Sequence, residues 1–139
     1  MTSYPKSKAR SGKGAFIGIL KNISNSRQFR HLSGNETKVF LHLYAEYNGS
    51  NNGNLTLPYN KASKELNLSR QLLSRTLKSL ECKGWIVKSR EGQRGREGQI
   101  SLYAVTIEPV DEVLKNGVRV HDLPPTKTAS HKWRDYSVT

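Results

Sequence analysis

The chain reads as α+β: a small helical bundle closed by an antiparallel hairpin. Three observations predict this. Two helical stretches flank a tight turn across residues 60–84, strand formers surround a glycine-rich tip across residues 85–106, and a capping signature at residues 33–36 opens an earlier helix. At 139 residues the chain suffices for one domain with a single modest core and tails. The expected division is a basic arm at 1–14, a folded unit at 15–107 that includes an N-terminal extension, and a C-terminal tail at 108–139.

Residues 1–14 carry Lys6, Lys8, Arg10 and Lys13 among Ser and Gly, without hydrophobic periodicity. Such an arm is expected to be disordered when free. It serves either to follow a phosphate backbone or minor groove, or merely as a solubilising tail. Phe16, Ile17, Ile19 and Leu20 then form an apolar patch expected to pack back onto the domain. Residues 23–32 suit one or two short helical turns, anchored by Phe29 and Leu32.

Ser33 stands three residues before Glu36, the pattern of a capping box. The helix it opens aligns Val39, Phe40, Leu43, Tyr44 and Tyr47 as a core-facing stripe. Residues 48–54 are turn formers, and their repeated asparagines read as a connection before they read as a ligand site. Leu55-Thr56-Leu57 is expected to supply a short strand beside the hairpin, and Pro58 ends it.

A short helix is then expected from about Asn60 to near Leu66, with Ser69 capping a second helix and Gly84 ending it. Leu73, Leu77 and Leu80 recur at i, i+4 and i+7, gathering on one stripe for burial. Arg70, Gln71, Ser74, Arg75 and Lys78 fall on the other side, and Glu81 is the only acid on this helix. A solvated basic face is the plain alternative. The functional one is a recognition helix, whose N-terminal residues meet base edges in a major groove. Trp85-Ile86-Val87-Lys88-Ser89-Arg90 and the stretch from Gln99 to Thr106 form the hairpin. Its tip holds Gly92, Gly95 and Gly98, and Arg90, Arg94 and Arg96 give it reach toward phosphates or a minor groove.

Charge distribution sharpens the reading. Lys and Arg number 23 against 11 Asp and Glu, which favours an anionic partner. Residues 1–35 hold seven basic residues and no acid, whereas residues 108–139 hold five of each. The excess therefore sits on the arm and the helix–hairpin region, as a nucleic-acid footprint requires.

Leu77-Lys78-Ser79-Leu80-Glu81-Cys82-Lys83-Gly84-Trp85-Ile86 resembles the junction between recognition helix and wing in winged helix-turn-helix DNA-binding proteins. The likeness extends over roughly residues 33–107. The loop Tyr47-Asn48-Gly49-Ser50-Asn51-Asn52-Gly53-Asn54-Leu55 is similar to one in small winged-helix proteins of proteobacteria and their phages and plasmids. The resemblance implies a three-helix core, a small antiparallel sheet and a β-hairpin wing. It also implies sequence-specific binding of double-stranded DNA by a small transcriptional regulator of bacterial, phage or plasmid origin. Arg70, Gln71, Ser74 and Arg75 are then the expected base contacts, because Arg suits guanine, Gln suits adenine and Ser tolerates several bases. Lys61, Lys64, Lys78, Lys88, Arg90, Arg94 and Arg96 are the expected backbone and wing contacts. One domain offers few base contacts, so a homodimer or repeated sites are expected.

Two alternatives stay open: an origin-recognition or partition role in plasmid or phage replication, and a protein-interaction module such as a phage-encoded inhibitor of a host nucleic-acid machine. The second turns on the tail, where Trp133 and Tyr136 dock either on their own domain or on a protein partner. In the same tail, residues 111–115 can form a turn of helix, residues 118–120 can be extended, and Pro124-Pro125 disfavours helix.

Other chemistry finds little support. His31, His42, His121 and His131 lack metal-ligand spacing, no phosphate-cradling fingerprint is present, and Asp111 and Glu112 are adjacent and so point apart. No enzyme, metal or cofactor is expected. Cys82, the single cysteine, is expected half covered as structural filler, which accords with a cytoplasmic, nucleoid-associated setting. No apolar run approaches 18 residues, so no membrane association is expected.

Overall fold

A computed structural model describes residues 14–92 and 100–138. The architecture is α+β. Helices α1 (Lys21–Ser24) and α2 (Arg27–His31) are single turns, and Ser26 caps α2 by accepting the Phe29 N–H at 3.1 Å. Helix α3 (Gly34–Tyr44) opens with the complete capping box: the Glu36 N–H donates to Ser33 Oγ at 3.1 Å, and the Ser33 N–H donates to Glu36 Oε1 at 2.8 Å. Helix α4 (Tyr59–Leu66) ends where Asn67 turns left-handed at φ 57°, and the Ser63 hydroxyl donates to the Leu68 carbonyl to close the turn. Helix α5 (Arg70–Cys82) follows at once, capped by Ser69, whose hydroxyl accepts the Leu72 N–H at 3.1 Å.

Gly84 ends α5 for two reasons. Its φ is +84°, and a Cβ there would stand 2.6 Å from the Lys132 carbonyl oxygen. The Gly84 N–H donates to the Glu81 carbonyl and the Trp85 N–H to the Leu80 carbonyl, the paired bonds of a Schellman ending. That ending aims the chain directly into strand β1 (Ile86–Arg90), which pairs antiparallel with β2 (Leu102–Val105), Ile86 opposite Val105.

Leu55 reaches this sheet through one bridge to Tyr103. The expected strand at residues 55–57 is therefore a single point of pairing. Pro58 follows Leu57 immediately as the N-cap of α4, so the stretch has no length in which to extend a ladder.

The C-terminal segment forms a second hairpin, β3 (Leu114–Lys115) with β4 (Val118–Arg119). The turn of helix expected at residues 111–115 is absent from this stretch. Asn116 at φ 54° and Gly117 at φ 78° make the left-handed pair that a two-residue hairpin turn needs, and this local geometry overrides the helical composition before it.

Trp85 is the centre of the core. It is fully buried, with Phe29 and Phe40 edge-on at 5.6 Å and Trp133 stacked on it at 5.0 Å and 6°. Val39, Phe40, Leu43 and Tyr44 of α3 and Leu73, Leu77 and Leu80 of α5 complete it. The N-terminal apolar patch closes back in part: Ile19 packs on the core and the Tyr44 hydroxyl donates to the Gly18 carbonyl at 3.0 Å, while Phe16, Ile17 and Leu20 are exposed. Ile23, Leu32 and Trp133 hold places in the core instead. Cys82, expected half covered, is also exposed. No helix among the described residues is long and apolar enough to cross a membrane.

Candidate nucleic-acid interface

Helix α5 divides cleanly. Leu73, Thr76, Leu77 and Leu80 are buried, and the Thr76 hydroxyl is satisfied within the helix by the Leu72 carbonyl at 2.7 Å. Arg70, Gln71, Arg75 and Lys78 are exposed, with Ser74 half-buried among them. At 100° per residue these five outward positions occupy a sector of roughly 140°. Among the described residues no ion pair engages Arg70, Arg75 or Lys78. Arg75 also borders an open groove with Ser33 and Asn35 at the start of α3.

The remaining predicted cations are placed less uniformly. Lys64 is exposed on α4. Lys61 is exposed and lies 3.8 Å from Glu65 one turn on, a loose surface pair. Lys88 is partly covered and lies 3.3 Å from Glu91. Arg90, expected to reach a phosphate, is instead engaged within the protein: its guanidinium donates to the carbonyls of Ile100 at 2.9 Å and Val120 at 3.3 Å. It joins the end of β1 to the start of the returning chain and to the second hairpin. Arg94, Arg96, Lys6, Lys8, Arg10 and Lys13 lie outside the described residues.

Trp133 is buried on its own domain, and its indole N–H donates to His131 Nδ1 at 3.2 Å. Tyr136 is half-buried, with Lys83 Nζ 5.9 Å from its ring centre. The tail therefore backs α5 where that helix meets β1, and its indole is not presented to a partner. Burial also holds His131 below its ordinary pKa, with the neighbouring Arg134 charge adding to the effect.

The platform beneath α5 rests on a buried carboxylate that the sequence reading treated only as a cap. Glu36 Oε1 also lies 2.9 Å from Lys83 Nζ, and its second oxygen accepts from the Ser79 hydroxyl. Burial alone would raise its pKa. The Ser33 and Ser79 hydrogen bonds and the Lys83 charge outweigh that and bring it from the ordinary 4.5 down to about 2. The helix cap thus doubles as the tie between α3 and the C-terminal end of α5.

Two further structural residues escaped sequence reasoning. Asn52 is fully buried: its Oδ1 accepts the Val105 N–H at 2.8 Å, and its Nδ2 lies within 3.1 Å of the Val105, Glu108 and Pro109 carbonyls. Nothing in the run of loop asparagines marks this one. His121 is buried beneath Gly53, where a Cβ would stand 2.3 Å from its Nε2. Its Nδ1 accepts the Leu123 N–H at 3.1 Å, so Nε2 carries the proton donated to the Asp111 carbonyl at 2.7 Å. Both residues fasten the C-terminal segment to the sheet. Among the described residues no three His, Cys, Asp or Glu side chains converge as a metal site.

Comparison of the chain with protein-family models, curated proteins and solved structures found no match.

Proposed function

We propose that this is a small winged-helix protein that binds double-stranded DNA in a sequence-specific manner and acts as a transcriptional regulator of bacterial, phage or plasmid origin, on the nucleoid in the cytoplasm. The observation that carries the reading is the outward face of α5: Arg70, Gln71, Ser74, Arg75 and Lys78 together, without ion-pair partners among the described residues, on a helix whose other face is buried. Helix α4 and its three-residue turn supply the first half of a helix-turn-helix, and β1–β2 supply the wing.

In this reading α5 enters the major groove. Arg70 and Arg75 address guanine O6 and N7, Gln71 addresses adenine, and Ser74 accepts several bases. Lys64 and Lys78 grip phosphates, while Lys61 and Lys88 do so by exchanging a nearby carboxylate for a phosphate. Arg90 instead keeps the root of the wing rigid. The protein-interaction alternative is weaker, because Trp133 is part of the core.

The test is competition binding to DNA fragments around the protein's own gene, comparing wild type with Arg70→Ala/Arg75→Ala. Each lost bidentate contact costs about 1–3 kcal/mol of discrimination. The double variant is expected to lose the discrete site while its thermal midpoint is unchanged, because both side chains are exposed. Undiminished site-specific binding would remove the proposal. With about six phosphates contacted, log K against log salt should have a slope near −5, and a flat dependence would count equally against it.

A further inference from the structure

We infer that two copies of the chain associate through the outer edge of β3, pairing antiparallel about a two-fold axis. The contact needs no DNA. Its use on paired DNA sites rests on the reading above.

The backbone register identifies the open edge. Lys115 pairs with Val118 next to the turn, and the Val120 N–H donates to the Val113 carbonyl at 2.9 Å. Leu114 and Arg119 are therefore the intervening pair that exchanges no bonds, so their N–H and C=O groups point outward along the two edges. Among the described residues neither outward set has a protein partner. On the β4 side the Arg119 guanidinium folds back onto the Leu123 carbonyl at 2.8 Å. The β3 side has no comparable cover among the described residues.

Side chains agree with the backbone. Leu114 is 54% and Val118 67% exposed, and neither joins the core. A lone exposed Leu means little, but on an open strand edge it gives a partner strand both hydrogen bonds and apolar contact.

Charge selects the partner. Residues 1–107 hold 18 basic and 6 acidic residues, so two copies that meet there repel one another. Residues 108–139 hold five of each and can approach without that cost. The outward N–H and C=O of Leu114 can be exchanged with those of the same residue in a second copy, the self-complementarity that an isologous two-fold contact requires. A two-residue strand covers far less than the roughly 1,200 Å² of a stable interface. The pairing is therefore weak in free solution and takes effect when two copies occupy one DNA molecule.

The experiment follows backbone amide shifts of the full-length labelled chain as protein concentration rises, without DNA. Concentration-dependent shifts confined to residues 112–120 are expected. Leu114→Pro removes the outward N–H together with the apolar side chain, and Leu114→Asp sets a charge on the axis. Each should weaken self-association at least about tenfold and leave the thermal midpoint unchanged. Shifts that centre on another face, or none up to the solubility limit, overturn the proposal. On DNA, Leu114→Asp should abolish cooperativity between two adjacent sites and leave single-site affinity intact. Equal weakening at one site and at two would make the hairpin a DNA contact and overturn the pairing. Self-association that persists in a chain with no affinity for DNA would sustain the contact and defeat the DNA-binding reading alone.

Discussion

In the β1–β2 hairpin, Ile86, Leu102, Tyr103, Ala104 and Val105 are buried, whereas all four strand residues of β3–β4 face solvent. The first hairpin is held from outside itself: Trp85 leads into it from the core, Leu55 bridges it, and Asn52 secures its end. The second is held by its own turn and by ties at its root, where the Asp122 N–H meets the Ser89 carbonyl and Arg90 meets Val120. The same secondary structure can thus rest on burial in one place and on turn chemistry in another. Burial fixes strands β1 and β2 against the core. Exposure leaves the second with a free edge.

Four measurements sharpen or break this contrast. Trp85→Ala should be the most damaging, costing about 4–5 kcal/mol in chemical denaturation because it leaves a void among three aromatic rings. Near-native stability in that variant would mean the first hairpin does not depend on the core. Acid comes next. Glu36 has its folded pKa below its unfolded one, so its contribution is complete above about pH 4.5 and disappears as pH falls through about 2. That contribution is on the order of 3 kcal/mol, and Glu36→Gln should flatten the stability profile across this window relative to wild type. An identical acid limb in both proteins would separate Glu36 from the platform.

Asn52→Ala should cost about 2–3 kcal/mol, because the Val105 N–H and its neighbouring carbonyls are left buried without their partner. Hydrogen exchange should quicken at Val105 at the end of β2, whose N–H loses its acceptor, while the bond from the Asn52 backbone N–H to Asp111 is retained. Gly117→Ala is the smallest and the most local. An added Cβ meets nothing within 4 Å, so only the positive φ is strained, at about 1 kcal/mol. Exchange at Lys115 and Val118 should accelerate about fivefold, with the global midpoint unmoved. A global loss would show that the second hairpin supports the fold after all.

Much of this was legible in the residues. The Ser33, Ser69 and Gly84 boundaries were readable because a cap is settled by residues within a few positions of it. The outward set of α5 was readable because helical periodicity assigns faces without reference to any neighbour. The Asn116-Gly117 turn carried an equally local signal, which the helical composition of residues 111–115 obscured. Arg90 was different in kind. Its position in a basic hairpin pointed outward to a phosphate, and only the arrival of Val120 beside it gave the guanidinium carbonyls to bind. The N-terminal patch followed the same rule: Phe16, Ile17 and Leu20 are as apolar as Ile23 and Leu32, yet only the latter pair is buried.

The limits of α3, α4 and α5, the basic and apolar faces of α5, and the separation of a positive body from a neutral C-terminal segment follow from the residues alone. Each depends on composition or on spacings of a few residues, and such interactions form wherever the chain goes. Folding in three dimensions is what ties Glu36 of α3 to Lys83 across 47 residues, stacks Trp133 on Trp85, and lets one loop asparagine bind strand and tail together. Those choices depend on which surfaces meet once the loops have closed, and no local pattern encodes which of several equivalent side chains arrives first.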